Sequence, residues 1–120
     1  MICNSEGCSR EVVQYYIKRE SKYQTKKRCK TCEHLLRRYN LTDPQRLSMI
    51  KEQDSKCLCC GDTFDLSGGQ GQKNKPHVDH CHVTGRVRAV LCGRCNQMLG
   101  HVNEDIEILE GMIAYIKEYC

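Results

Sequence analysis

Between residues 77 and 96 the chain gathers side chains suited to phosphodiester chemistry: Asp79, His80, His82 and Asn96. A carboxylate and an amide carbonyl are oxygen ligands, the kind a hard cation such as magnesium prefers. An imidazole beside them, with an unperturbed pKa of about 6.5, can take a proton from water near neutral pH. Arg86, Arg88 and Arg94 bracket the same stretch, and guanidinium groups grip phosphate well. Each residue alone has a plainer reading: a surface histidine, a helix-capping Asn, a solvated arginine face. Their concentration in one short stretch is what points to a metal, a base and a phosphate.

Eleven cysteines accompany them, and eight fall into four neighbouring pairs. These are Cys3 with Cys8, Cys29 with Cys32, Cys57 with Cys60, and Cys92 with Cys95. Three of the pairs are C-x-x-C, a spacing that points two thiolates from one tight turn at one ion, and tetrahedral zinc needs two such turns. Neighbouring pairs therefore predict one zinc site from Cys3, Cys8, Cys29 and Cys32 and a second from Cys57, Cys60, Cys92 and Cys95. Four thiolates close a site, so both ions would be structural and hold no substrate water. Cys59, Cys81 and Cys120 are left over, and Cys59 and Cys120 read as free thiols.

The elements that must position these groups are legible in outline. Residues 3–32 read as a small zinc-stapled module, with Val13, Tyr15 and Ile17 in rough strand alternation. A short helix follows from Cys32, with Leu35, Leu36 and Tyr39 on one side. Thr42 and Gln45 form a capping-box pattern around Pro44 and predict a helix over 43–54. The stretch 67–75 carries three glycines and no apolar residue, and reads as a loop. Strands over 77–82 and 86–92 flank Val83-Thr84-Gly85, a hairpin signal. A helix is expected to start at Cys92–Asn96 and another at Asn103, running through 117. Ile106, Leu109, Ile113 and Ile116 share one face of that last helix; packing on the core is the favoured reading and a dimer seam the alternative.

Composition limits what can hold this together. The apolar fraction is 39%, but the 11 cysteines count toward it, and there is one Phe and no Trp. So thin a core in a 120-residue chain calls for staples. No apolar run is long enough to span a bilayer, and the first residues lack the basic-then-apolar pattern of an export signal. Without export, clustered cysteines read as metal ligands rather than disulfides, and a cytoplasmic protein is expected. Charge is uneven: residues 1–50 hold 11 Lys/Arg against 5 Asp/Glu, whereas residues 101–120 hold 1 against 5. A basic N-terminal half suits a polyanionic partner.

The strings Cys57-Leu58-Cys59-Cys60-Gly61, Val78-Asp79-His80-Cys81-His82-Val83-Thr84-Gly85-Arg86-Val87-Arg88 and Leu91-Cys92-Gly93-Arg94-Cys95-Asn96 closely resemble the recombination endonuclease VII family. That family belongs to the HNH, or His-Me finger, nucleases. The resemblance covers about residues 40–118. The Cys29-Lys30-Thr31-Cys32 knuckle also looks like the zinc module that precedes this domain in short phage-encoded members. The resemblance implies a small α+β, zinc-stapled protein. Residues 1–40 would form a zinc-ribbon-like module, and residues 41–120 a ββα-metal nuclease domain ending in a helix. Asp79 and Asn96 match the magnesium ligands, with manganese as an alternative ion. His80 matches the general base; His82 matches a second histidine that contacts the scissile phosphate or takes the base role itself. Cys57, Cys60, Cys92 and Cys95 match the structural zinc ligands. Cys81 and Leu99 stand where some members carry a carboxylate. A phage origin, and so a host-cell cytoplasmic location, follows from the resemblance alone.

The function this implies is metal-dependent hydrolysis of DNA phosphodiester bonds, by nicking or at branched junctions, with a homodimer as one arrangement and no membrane partner. Two other classes fit parts of the pattern. A non-catalytic zinc module that binds nucleic acid uses the basic half and the knuckles but has no need of Asp79, His80 and Asn96 together. A protein-interaction scaffold would use the C-terminal apolar stripe.

Overall fold

The computed structural model describes residues 2–5, 7–10, 15–17, 22–24, 28–67 and 74–120. The expected position of Val13 and most of the glycine-rich stretch lie outside them. The fold is small and α+β, in the order β1 (Tyr15–Ile17), β2 (Lys22–Gln24), α1 (Lys30–Tyr39), α2 (Asp43–Glu52), β3 (Pro76–His80), β4 (Val87–Cys92), α3 (Gly93–His101) and α4 (Ile106–Tyr119). Two antiparallel pairs form, β1 with β2 and β3 with β4.

Each helix starts where a side chain can satisfy its free amides. Cys29 caps α1 through its sulfur, so this helix begins before Cys32 rather than after it. Thr42 caps α2 in a complete capping box with Gln45, as the pattern predicts. The last helix departs from expectation. Asn103 and Glu104 both adopt positive φ, 51° and 57°, and Asp105 is the cap, accepting from the amides of Glu107 and Ile108. Asn and Asp-like side chains tolerate this left-handed region better than most, but two such residues in a row make a sharp corner. That corner takes Glu104 out of the helix and turns it back toward β4.

The β3–β4 hairpin carries the core. Its turn closes with the Cys81 amide donating to the Arg86 carbonyl and the Gly85 amide donating to the Cys81 carbonyl. Gly85 takes φ +73°, which only glycine adopts without strain. Register runs Val78 opposite Val90 but His80 opposite Val87, so the single residue Asp79 faces both Arg88 and Ala89. Such an irregularity re-aims side chains. Here Val78 and Asp79 are both buried, breaking the in–out alternation.

The core cluster is Ile50, Phe64, Val90 and Leu91 around Cys57 and Cys92. Burying one such side chain is worth roughly 1.5–3 kcal/mol, so this set alone is slight for a domain and the cysteines supply the remainder. The Gln53 side chain completes β4. Its amide nitrogen donates to the Val90 carbonyl at 2.8 Å and its oxygen accepts from the Val90 amide at 2.9 Å. A side-chain amide thus stands in for a missing neighbouring strand.

The chain ahead of residue 40 is tied to α2. Buried Asp43 accepts from both Arg10 and Arg46, and Gly7, at φ +71°, lies against the Pro44 ring. The favoured expectation for α4 is not met: none of its residues is buried, and Ile106, Ile113 and Ile116 are more than half exposed. No helix among the described residues is long and apolar enough to cross a membrane.

Candidate metal centres and active site

The eight paired cysteines assemble as two quartets, Cys3–Cys8–Cys29–Cys32 and Cys57–Cys60–Cys92–Cys95. Within each quartet all four sulfurs lie within 4.8 Å of one another. Tetrahedral zinc with bonds of about 2.3 Å sets an S–S edge of about 3.8 Å. The Cys8–Cys29 and Cys60–Cys92 sulfurs are each 3.8 Å apart. Both quartets therefore have the donor chemistry and the spacing for structural zinc.

Proton affinity divides within each quartet. Burial raises the Cys3 thiol, but the Cys29 amide and Ser5 outweigh it and bring it down to about 6. Burial likewise opposes the backbone amides of Cys60, Cys92 and Cys59 at Cys57, which settles at about 6. Burial pushes Cys32 up to about 12 and moves Cys95 in the same direction. Crowded thiols cannot all ionise without a cation among them, and a zinc dication removes that conflict.

Cys92 has three positions at once. It ends β4, belongs to the second quartet, and caps α3 by accepting the Cys95 amide at 3.5 Å. The hairpin and α3 are thereby fixed to each other at the point where the polar residues converge. Asp79, His80, His82 and Asn96 all line one cleft of about 250 Å³ beside α3. The rings of His80 and His82 stack at 5.0 Å, and Tyr39 from the end of α1 lies 5.5 Å from His80. Asn96 is half-buried, and among the described residues its amide has no hydrogen-bond partner, which leaves it available to a ligand.

The expected arginines are placed differently from one another. Arg88 clasps Asp79, with Nε 2.6 Å from Oδ2 and Nη2 3.0 Å from Oδ1. Its outer edge reaches Glu104, with Nη2 2.7 Å from Oε1 and Nη1 3.1 Å from Oε2. Arg94 pairs with Asp62 at 2.9 Å. Arg86 is exposed just before β4. Two of the three expected phosphate contacts are thus already held by carboxylates of the same chain. Cys81 sits in the hairpin turn, where the Thr84 hydroxyl and backbone lower its thiol below the ordinary range. Leu99 packs on the core and forms one wall of the cleft.

Sequence reasoning missed Glu104. It lines the cleft, its Oε1 lies 3.8 Å from His82 Nε2, and hydrogen bonding to Arg88 holds its carboxyl below the usual range. An acidic residue at a helix start reads as a dipole partner, and only the two-residue corner before α4 reveals its direction.

A ββα unit pinned by a thiol quartet able to bind zinc, with a polar cleft between hairpin and helix, is the class of fold these observations define. The family model for recombination endonuclease VII matches residues 32–118, and the chain belongs to that family. It is 31% identical over 85 residues to the Gene 59 protein of Mycobacterium phage D29, covering 70% of this chain and 48% of that protein. It is also 31% identical over 83 residues to the Gene 59 protein of Mycobacterium phage L5, covering 68% and 47%. The chain spans about half the length of these curated relatives. Among solved structures it is similar to the ββα-Me type II restriction endonuclease Hpy99I, at 21% identity and a TM-score of 0.44, over 99% of this chain and 65% of that one.

Proposed function

We propose that the chain is a metal-dependent DNA endonuclease that hydrolyses phosphodiester bonds, by nicking or at branched junctions. The observation that carries this is the convergence of Asp79, His80, His82 and Asn96 on one cleft that a closed thiol quartet fixes in place. A non-catalytic zinc module has no use for that convergence.

In this reading Asp79 and Asn96 would hold a magnesium ion, with manganese as substitute. Their donor set fits, since a carboxylate and an unpartnered amide oxygen are what a hard cation takes. A divalent ion held by these two residues would supply Lewis-acid stabilisation of the charge that builds on a phosphodiester as it breaks. Arg88 lies on both Asp79 oxygens, so a cation binding there would compete with it, and Glu104 already holds the guanidinium's other edge. His80 takes the proton from the attacking water. It is half-buried against Tyr39, whereas the His82 side chain is 64% exposed and leans toward Glu104. His82 is the alternative base, or a phosphate contact together with Arg86.

Supercoiled plasmid and a four-way junction, incubated with the zinc-loaded chain and magnesium, test the reading. Cleavage is expected with magnesium, none with a chelator that spares the zinc, and none with His80→Ala and His82→Ala combined. Absence of cleavage with any divalent ion, or full cleavage by the double variant, overturns it.

A further inference from the structure

Helix α1 leaves the first thiol quartet and ends at the cleft. Cys29 caps it, Cys32 in its first turn belongs to the quartet, and Leu35 is buried. One side is therefore anchored. The rest of the helix presents Lys30, His34, Arg37 and Arg38, all exposed. Among the described residues none of the three cations Lys30, Arg37 and Arg38 has a carboxylate partner, and Glu33, the acidic residue of the helix, lies 3.9 Å from Arg28 instead. Elsewhere among the described residues four arginines are neutralised in place, Arg88 by Asp79 and Glu104, Arg94 by Asp62, Arg10 and Arg46 by Asp43, and Arg86 alone on the hairpin is left exposed without a carboxylate.

The free cations also lie along a continuous path. A hollow of about 460 Å³ is lined by Lys30, Glu33, His34, Arg37 and Arg38. A groove of about 810 Å³ shares Lys30 and His34 with that hollow, and shares Tyr39, Val78 and Asn96 with the cleft. Arg38 and Tyr39 reach the cleft itself, beside His80. Lys30 and Arg37 stand seven residues apart, about 10 Å along the helix axis. One DNA strand carries about three phosphates over that length.

We propose that the exposed face of α1 grips the sugar-phosphate backbone of DNA and leads the strand into the Asp79–Asn96 cleft. The proposal rests on the nuclease reading and moves most of the phosphate grip from the hairpin arginines to the zinc module.

The test is a titration of a short DNA duplex with the zinc-loaded full chain, without divalent ions, across a range of salt concentrations by fluorescence anisotropy. Each phosphate contact adds about 0.9 to the slope of log K against log salt. Lys30→Gln/Arg37→Gln is expected to flatten the slope by about 1.8 and weaken binding about tenfold or more at low salt. Lys51→Gln/Lys117→Gln, which removes equal charge elsewhere, is expected to leave the slope nearly unchanged. Zinc content and melting are recorded for each protein. Arg37→Gln/Arg38→Gln, remote from Cys32, repeats the test if the first variant loses zinc. Unchanged slopes for the α1 variants overturn the proposal, as do equal losses in the Lys51/Lys117 control or a loss confined to a matching RNA duplex. A wild-type chain that neither binds nor cuts DNA instead overturns the nuclease reading beneath it.

Discussion

Arg88 spends its whole guanidinium on two carboxylates, closing on both oxygens of Asp79 and reaching both oxygens of Glu104. Asp79 is 7% exposed and has no other cation near enough to pair with among the described residues. Removing the guanidinium leaves a buried carboxylate without a counterion. Arg88→Ala is expected to cost about 1–3 kcal/mol, and added magnesium is expected to raise its melting temperature more than that of the wild type. Thermal melting of both proteins with and without the ion is the check; equal magnesium shifts would mean Arg88 does not compete for Asp79.

Glu104 holds the far edge of that guanidinium. Glu104→Gln leaves Arg88 with Asp79 as its one charged partner, so the cation competes harder for it. Manganese affinity measured by electron paramagnetic resonance is expected to fall several-fold, with zinc content unchanged. The result that counts against this role is an affinity equal to or above wild type.

His80 and His82 stack in the same cleft, but their surroundings differ. His80→Ala is expected to lower plasmid cleavage by about 10²–10⁴-fold, the usual contribution of a positioned base. His82→Ala is expected to cost less. Both variants should keep two zinc ions and the wild-type melting profile, since neither side chain belongs to a quartet or to the core. A larger loss for His82→Ala would reverse the assignment of the base.

Gln53 and Val90 form a pair that the melting of β4 should report. Val90 is fully buried, and both of its backbone groups bond to the Gln53 side chain. Gln53→Ala leaves a buried amide and carbonyl unpaired, at about 1–3 kcal/mol each. Urea denaturation is expected to show a loss of about 2–6 kcal/mol. A loss below about 0.5 kcal/mol would mean that water replaces the side chain at no cost.

What could be read from the sequence was local. The C-x-x-C turns, the Thr42–Gln45 capping box and the glycine of the hairpin turn each declare themselves within a few residues, because their geometry is fixed by neighbours in the chain. The relationships that define the cleft are not local. Gln53 meets Val90 and Arg88 meets Glu104 across long separations, and no periodicity marks either pair. The register shift opposite Asp79 is also invisible in the string, since strict alternation would place Val78 and Asp79 on opposite faces. The stripe on α4 is visible in the sequence, but an apolar stripe names no partner, and no residue of α4 is buried.

Cys92 belongs to a strand, a metal quartet and a helix start at the same time. A fault there cannot be partial. Cys92→Ser, or stripping of the second quartet, is expected to abolish cooperative melting and cleavage together, measurable by calorimetry and zinc titration on one sample. At the second quartet the loss would be all or none, since the hairpin, α3 and the cleft between them all hang on Cys92. Scarcity of the ion there would be read out as copy number.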